Sequence, residues 1–379
     1  MADSCAQNKF QDKRQAIIQI TCLFWISTKL FSYKLWHSDR LFPLVPPFGF
    51  LENIPNFIHL GLFWMAVSGL IIIIFKPAGY FIAATLLVEL CSCLLDQNRW
   101  QPYEYQYYIS LFFLFCYRKN PKQFLNYFSF LIIATYFFSG LHKFSGSFLY
   151  SVWDNLILRR FFRLDHKTAS TIFIHYSGLL LPMIEFGSAV GLLIFRKKKV
   201  FAGLLITMHL FILVLLSPIG VSYNAVVWPW NVSMILFLYL LYFKDGPANT
   251  DVPSLLKKHG KMHLLYLVLL PSVSFFGYYD NYLSFNLYSG GLKSMEICIA
   301  DKLKAKEYSL FFSKPKFCKA EKSINLNRWA LEEMNVLPYP EERNFKEIAR
   351  KFKLRNPGID ASFIIYQYPY KLQNLKIYK

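Results

Sequence analysis

The chain has 379 residues, 55% of them hydrophobic and 19% aromatic, and a formal net charge of +19. Its mean hydropathy of +0.29 is too apolar for an ordinary soluble protein and points to a polytopic membrane protein. The positive charge sits in short connections and the C-terminal tail with no DNA-binding motif around it, so the composition gives no nucleic-acid partner and the bilayer is the first expected one.

Residues 1–14 read as a cytoplasmic tail, with Lys9, Lys13 and Arg14 ahead of an apolar run. No A-x-A-like cleavage site follows, which predicts a retained first helix. Apolar windows then centre on 15–32, 57–75, 79–95, 105–118, 125–142, 172–195, 199–219, 226–243 and 262–278. The fourth and ninth are short, so the pattern predicts an all-α helical bundle of eight or nine spans over 15–278. Lys76, Arg118, Lys119, Lys122 and the run 196–199 fall on the side of the N-terminus. The positive-inside rule therefore places the N-terminus in the cytoplasm and residues 279–379 outside.

Ionisable groups inside spans are expensive and mark function by default. Glu89 and Asp96 lie two turns apart on the third window, which ends in the elbow "LLDQNRWQPYEYQYY". The fifth ends in "YFFSGLHKF", with His142 and Lys143 in its last turn. The sixth carries His175 near its start, Glu185 near its middle, and Gly187 and Gly191 as a small-xxx-small pair for close helix contact. His209 stands at mid-span in the seventh, at a depth comparable with Glu185, so the two are expected to pair if their helices pack. Asp96, Arg99, Trp100, His142, Lys143, His175, Asn224 and Trp228 converge on the outer face as a candidate pocket.

Residues 279–379 read as a small α+β module. A hairpin is expected around Ser289-Gly290-Gly291. A proline-opened helix is expected at Glu341, with Phe345, Ile348, Ala349 and Phe352 on one face, followed by a strand at "SFIIYQY". Cys298 and Cys318 are the two cysteines of this exterior tail, and a disulfide between them is expected in an oxidising compartment. No metal-ligand spacing, P-loop, dinucleotide fingerprint or serine elbow is present in the sequence.

The segments "LLDQNRWQPYEYQYY", "YFFSGLHKF", "MIEFGSAVGLLI" and "MHLFILVLLSPIGVSYNAVVWPWN" together resemble the HTTM domain, related to the membrane part of vitamin K-dependent gamma-carboxylase. The resemblance implies a multi-pass protein, in a bacterial inner membrane by its composition, using a reduced quinone of the vitamin K or menaquinone kind. It nominates Lys143 as base, with His142, Glu185 and His209 as further catalytic candidates. Asp96, Arg99, Trp100, Tyr103, His175, Asn224 and Trp228 would shape the site for a quinone or other lipid-soluble substrate. An amine in an apolar pocket favours the neutral form that a base requires. The chain departs from the carboxylases at "RWQPYEY", where Pro102 and Tyr103 replace an Asn-His pair. This sets it apart from glutamate carboxylation itself. The other reading is a non-enzymatic scaffold, or a peptide processing or export partner, that meets a peptide or protein through its tail.

Overall fold

The computed structural model describes residues 2–378 except 247, 249, 252, 254–257, 319, 321, 372 and 373. A helical bundle fills the first three quarters of the chain, and a small mixed module follows. The bundle helices are α1 (Ala2–Phe31), α2 (Asn56–Phe75), α3 (Gly79–Leu94), α4 (Pro102–Tyr117) and α5 (Pro121–His142). A wide π-helical segment, α6 (Leu149–Phe161), precedes α7 (Ile172–Ile194), α8 (Lys198–Leu216), α9 (Val227–Tyr242) and α10 (Gly260–Phe276). Local chemistry sets several ends. Pro102 and Pro121 open α4 and α5 at positions whose N–H would have no helical partner, and Asn120 Oδ1 accepts the Gln123 N–H to cap α5.

Among the described residues, α2, α5, α7 and α8 are the four helices long and apolar enough to cross a membrane. The expected eight or nine spans are therefore corrected to four. The reason is physical: α3, α4 and α9 have 16 residues each, about 24 Å at 1.5 Å per residue, short of a hydrocarbon core of roughly 30 Å. The first window fails differently, since α1 carries Lys9, Asp12, Lys13 and Arg14 in its first half and Lys29 near its end.

Within the bundle α5 is central, with 83% of its apolar window buried, against 28% for α8 and 33% for α2. The outward faces of α2 and α8 present Phe57, Trp64, Met65, Leu204, Leu210 and Val214, an apolar surface of the kind lipid covers. Gly140 on α5 brings two helix backbones together: a Cβ there would lie 2.6 Å from the Phe186 backbone nitrogen of α7. The small-xxx-small expectation of close helix contact holds at one of its two glycines. Gly187 faces open space, and Gly191 meets the Phe201 ring of α8.

The C-terminal module is a five-stranded antiparallel sheet in the order β2-β3-β1-β4-β5. Its strands are β1 (Ser294–Ile299), β2 (Phe312–Ser313), β3 (Lys322–Asn325), β4 (Ala361–Tyr366) and β5 (Lys376–Tyr378). Two helices, α11 (Leu326–Met334) and α12 (Glu342–Arg355), pack on it, and α12 buries Phe345, Ile348, Ala349 and Phe352. No hairpin forms at Ser289-Gly291. Gly290, at φ +72°, presses so closely on the bundle that a Cβ would strike the Ser147 carbonyl, and β1 pairs with β3 and β4 instead.

Candidate functional site

Lys143 caps the C-terminus of α5, and its Nζ donates to Ser139 Oγ at 2.7 Å and to Glu185 Oε2 at 2.6 Å. Both side chains are largely buried, at 13% and 7% exposure. They form one polar wall of a cavity of about 80 Å³ whose other walls include Phe148, Val152, Leu181, Met208, Phe211 and Tyr288. In such surroundings an ion pair persists only because each charge has its partner, and the short hydrogen bond is a route for a proton between Nζ and Oε2.

The expected pairing of Glu185 with His209 does not occur. Glu185 is taken by Lys143 on α5. His209 Nε2 instead meets the Tyr136 hydroxyl at 2.7 Å, and its Nδ1 meets Asn231 Oδ1 at 2.7 Å. The Asn231 amide group donates to the Val227 carbonyl, which turns Oδ1 toward the imidazole and makes Nδ1 the protonated nitrogen. His142 is separate again: it stacks on Phe275 with ring centroids 4.3 Å apart and faces Ser274 of α10.

The elbow residues do not line an outer pocket. Asp96 and Arg99 are fully buried. Asp96 pairs with Arg40 and accepts the N–H groups of Val45 and Asn98. Burial opposes its charge, yet Arg40 beside it holds the carboxyl below its ordinary range. Arg99 donates to the Ser92 carbonyl at 2.8 Å and to the Leu35 carbonyl, and meets His59 Nδ1 at 2.8 Å. Trp100 packs with Tyr282, Leu287 and Tyr339 beneath the C-terminal module, and Tyr103 is buried against Trp230. These residues fasten the loops and seat the module.

His175 Nδ1 meets Asp154 Oδ2 on α6 at 2.8 Å, apart from the Lys143 cavity. Asn224 donates to the Tyr288 hydroxyl at 2.7 Å, and Asn224 and Trp228 both line a cleft of about 840 Å³ between bundle and module, beside Arg160, Tyr223, Asn325 and Arg328. Tyr288 borders both the Lys143 cavity and an intermediate space that shares Arg160 and Tyr223 with this cleft. Lys143 and the mid-span Glu185 thus form one centre, and Asn224 and Trp228 border another.

Cys298 and Cys318 are disulfide-bonded, with Cα atoms 6.1 Å apart. Glu296 lies close enough to make these three the one group of metal-ligand type among the described residues. Its carboxylate is already occupied by the Ser323 hydroxyl and the Lys316 and Phe317 N–H groups, so the group reads as a cross-link with its supporting hydrogen bonds.

Sequence reasoning passed over Ser139, Tyr136, Asp154, Asn231, Tyr288 and the buried trio Lys29, Glu89 and Glu104 as partners. Glu104 sits in the quoted elbow among aromatic residues, and Lys29 is a single cation in an apolar run. No family model matches the chain, and no curated protein or solved structure matches it either.

Proposed function

We propose that the chain is a multi-pass membrane protein of the HTTM type, and four spans put its N-terminus and its C-terminal module on the same side of the bilayer. In this reading it handles a proton at Lys143 and Glu185 for a lipid-soluble substrate. The observation that carries this is the 2.6 Å Lys143–Glu185 hydrogen bond set in the wall of an otherwise apolar cavity. Lys143 Nζ is the group that would take or give the proton. Glu185 Oε2 holds Nζ against the cavity and can receive its proton, and Ser139 fixes the ammonium from the other side.

The residues present fit a reduced quinone: apolar walls suit a ring and prenyl chain, and the ion pair offers hydrogen bonds to a ring oxygen. At about 80 Å³ the cavity is smaller than the whole molecule, so its walls would have to open to admit it. A reduced quinone there would supply two electrons and two protons to oxygen. The chain's residues would orient it, exclude water and exchange a proton at Nζ.

The test is oxygen-dependent oxidation of a reduced menaquinone analogue by protein purified into lipid, wild type against Lys143→Ala. Turnover that vanishes in the folded variant supports the reading; no turnover in the wild type rejects it. The wide cleft favours the second reading, a scaffold or peptide-handling protein that engages a polypeptide between bundle and module. Under that reading Trp228→Ala and Arg160→Ala weaken cross-linking to the partner while Lys143→Ala does not.

A further inference from the structure

A second charged centre lies apart from Lys143, where α1, α3 and α4 meet. Lys29 Nζ donates to Glu89 Oε2 at 2.8 Å and to Glu104 Oε1 at 2.7 Å, and the three side chains are 0 to 2% exposed. Nζ also lies 3.4 Å from the centroid of the Trp36 ring. The other carboxylate oxygens, Glu89 Oε1 and Glu104 Oε2, are buried and accept a hydrogen bond from no described residue. One ammonium therefore serves two carboxylates, and each keeps a bare oxygen in a dry interior, where an unsolvated charge is costly.

The surrounding groups do not relieve this. Cys93 faces the pair from α3, and Tyr103, Tyr107 and Tyr108 from α4. Arg99 is the nearest further cation, 5.2 Å from the same Trp36 ring, but its nitrogens go to Ser92, Leu35 and His59. Asp96 and Arg40 neutralise each other. The missing element is a donor on one carboxylate, and a bound proton supplies it.

Helix position decides which carboxylate takes it. Glu104 is in the first turn of α4, where unpaired N–H groups and the helix dipole favour an anion. Glu89 lies more than a turn from either end of α3, where no unpaired N–H group is at hand to favour the anion. We propose that Lys29, Glu89 and Glu104 form a buried proton-binding site, with the proton on Glu89 and with Glu104 ionised beside Lys29. Binding forms one O–H bond at Glu89 Oε1 and leaves Lys29 and Glu104 as a neutral pair.

Infrared spectroscopy of the full chain in lipid tests this, with ¹³C-labelled glutamate in the wild type and with Glu89→Gln and Glu104→Gln. The expected wild-type spectrum at neutral pH contains a protonated-carboxyl stretch that moves on labelling and on transfer to D₂O. That band disappears in Glu89→Gln and persists in Glu104→Gln. Absence of any label-sensitive protonated-carboxyl band in the wild type overturns the proposal, as does a band that survives Glu89→Gln. Because glutamine reproduces the shape and neutrality of the protonated acid, Glu89→Gln is expected to unfold at the wild-type temperature. Failure of that variant to fold also overturns the proposal, whereas Lys29→Met, which strips both carboxylates of their cation, is expected to lose the folded state.

Discussion

Asn98 Oδ1 accepts the backbone N–H of Tyr339 at 3.0 Å and the side-chain amide of Asn344 at 3.2 Å, across more than 240 residues of chain. The elbow after α3 is therefore the seat of the C-terminal module. Glu333 adds to the seat by accepting the N–H groups of Leu41 and Phe42, and Gln101 donates to the Leu337 carbonyl. Asn98→Ala leaves the buried Tyr339 N–H without an acceptor, at about 1–3 kcal/mol, and leaves the Asn344 amide with the Tyr339 carbonyl alone. The expected outcome is a lower unfolding temperature and faster proteolysis between residues 279 and 379; a cleavage rate equal to the wild type would rule out Asn98 as an anchor.

The approach of α5 to α7 at Gly140 gives a second expectation. A methyl group at 2.6 Å from the Phe186 nitrogen cannot be accommodated without moving backbone, so Gly140→Ala should cost about 1–3 kcal/mol. It should also disturb the Lys143–Glu185 bond that crosses the same pair of helices. Gly187→Ala has open space around it and serves as the control. Equal unfolding temperatures for the two variants in detergent would show that the helices do not pack as described.

Lys143 and Glu185 are suited to a double-mutant cycle. Removing one member of a largely buried pair strands the other and costs about 3–5 kcal/mol. Lys143→Met with Glu185→Leu removes both charges and should recover much of that loss. If the two single substitutions add to give the double, the ion pair does not form in the folded protein.

Much of the architecture was legible because it is written locally. The apolar windows at 57–75, 79–95 and 125–142 and the apolar stripe from Phe345 to Phe352 mark helices within a few residues of their ends. Span count was less legible, because hydropathy is alike for a helix wrapped in protein and one facing lipid. The mostly buried helix α4 reads as a membrane window though it is short. Partner choice was least legible. Lys143 meets Glu185 across 42 residues and Lys29 meets Glu104 across 75, distances at which no periodicity operates, so a shared depth suggested His209 for Glu185 when α5 supplied a nearer cation.

The Cys298–Cys318 bridge closes a separation of 20 residues between β1 and the segment leading to β3. In the chain-entropy account a loop of this size is worth about 3 kcal/mol. Cys298→Ser should lower the unfolding temperature of the module, and intact-mass measurement with and without reductant should differ by two hydrogens. Two free thiols in the non-reduced protein would contradict the bridge.

Acid should loosen the module through Glu342. Hydrogen bonding to Lys376, with Lys346 and Tyr378 adding to it against modest burial, brings this carboxyl down to about 2 from its ordinary 4.5. A carboxylate held lower in the folded than in the unfolded chain stabilises the fold fully above about 4.5, and that contribution drains away as pH falls toward 2. Glu342 joins α12 to β5 through Lys376 and Tyr378, so the loss should appear first as release of the last strand. The protection of the β5 amides, taken relative to intrinsic exchange at each pH, should fall between pH 4.5 and 2 in the wild type. In Glu342→Gln the same strand should exchange faster at neutral pH and show a flatter pH profile. An unchanged slope in that variant would mean that another carboxyl governs the acid response.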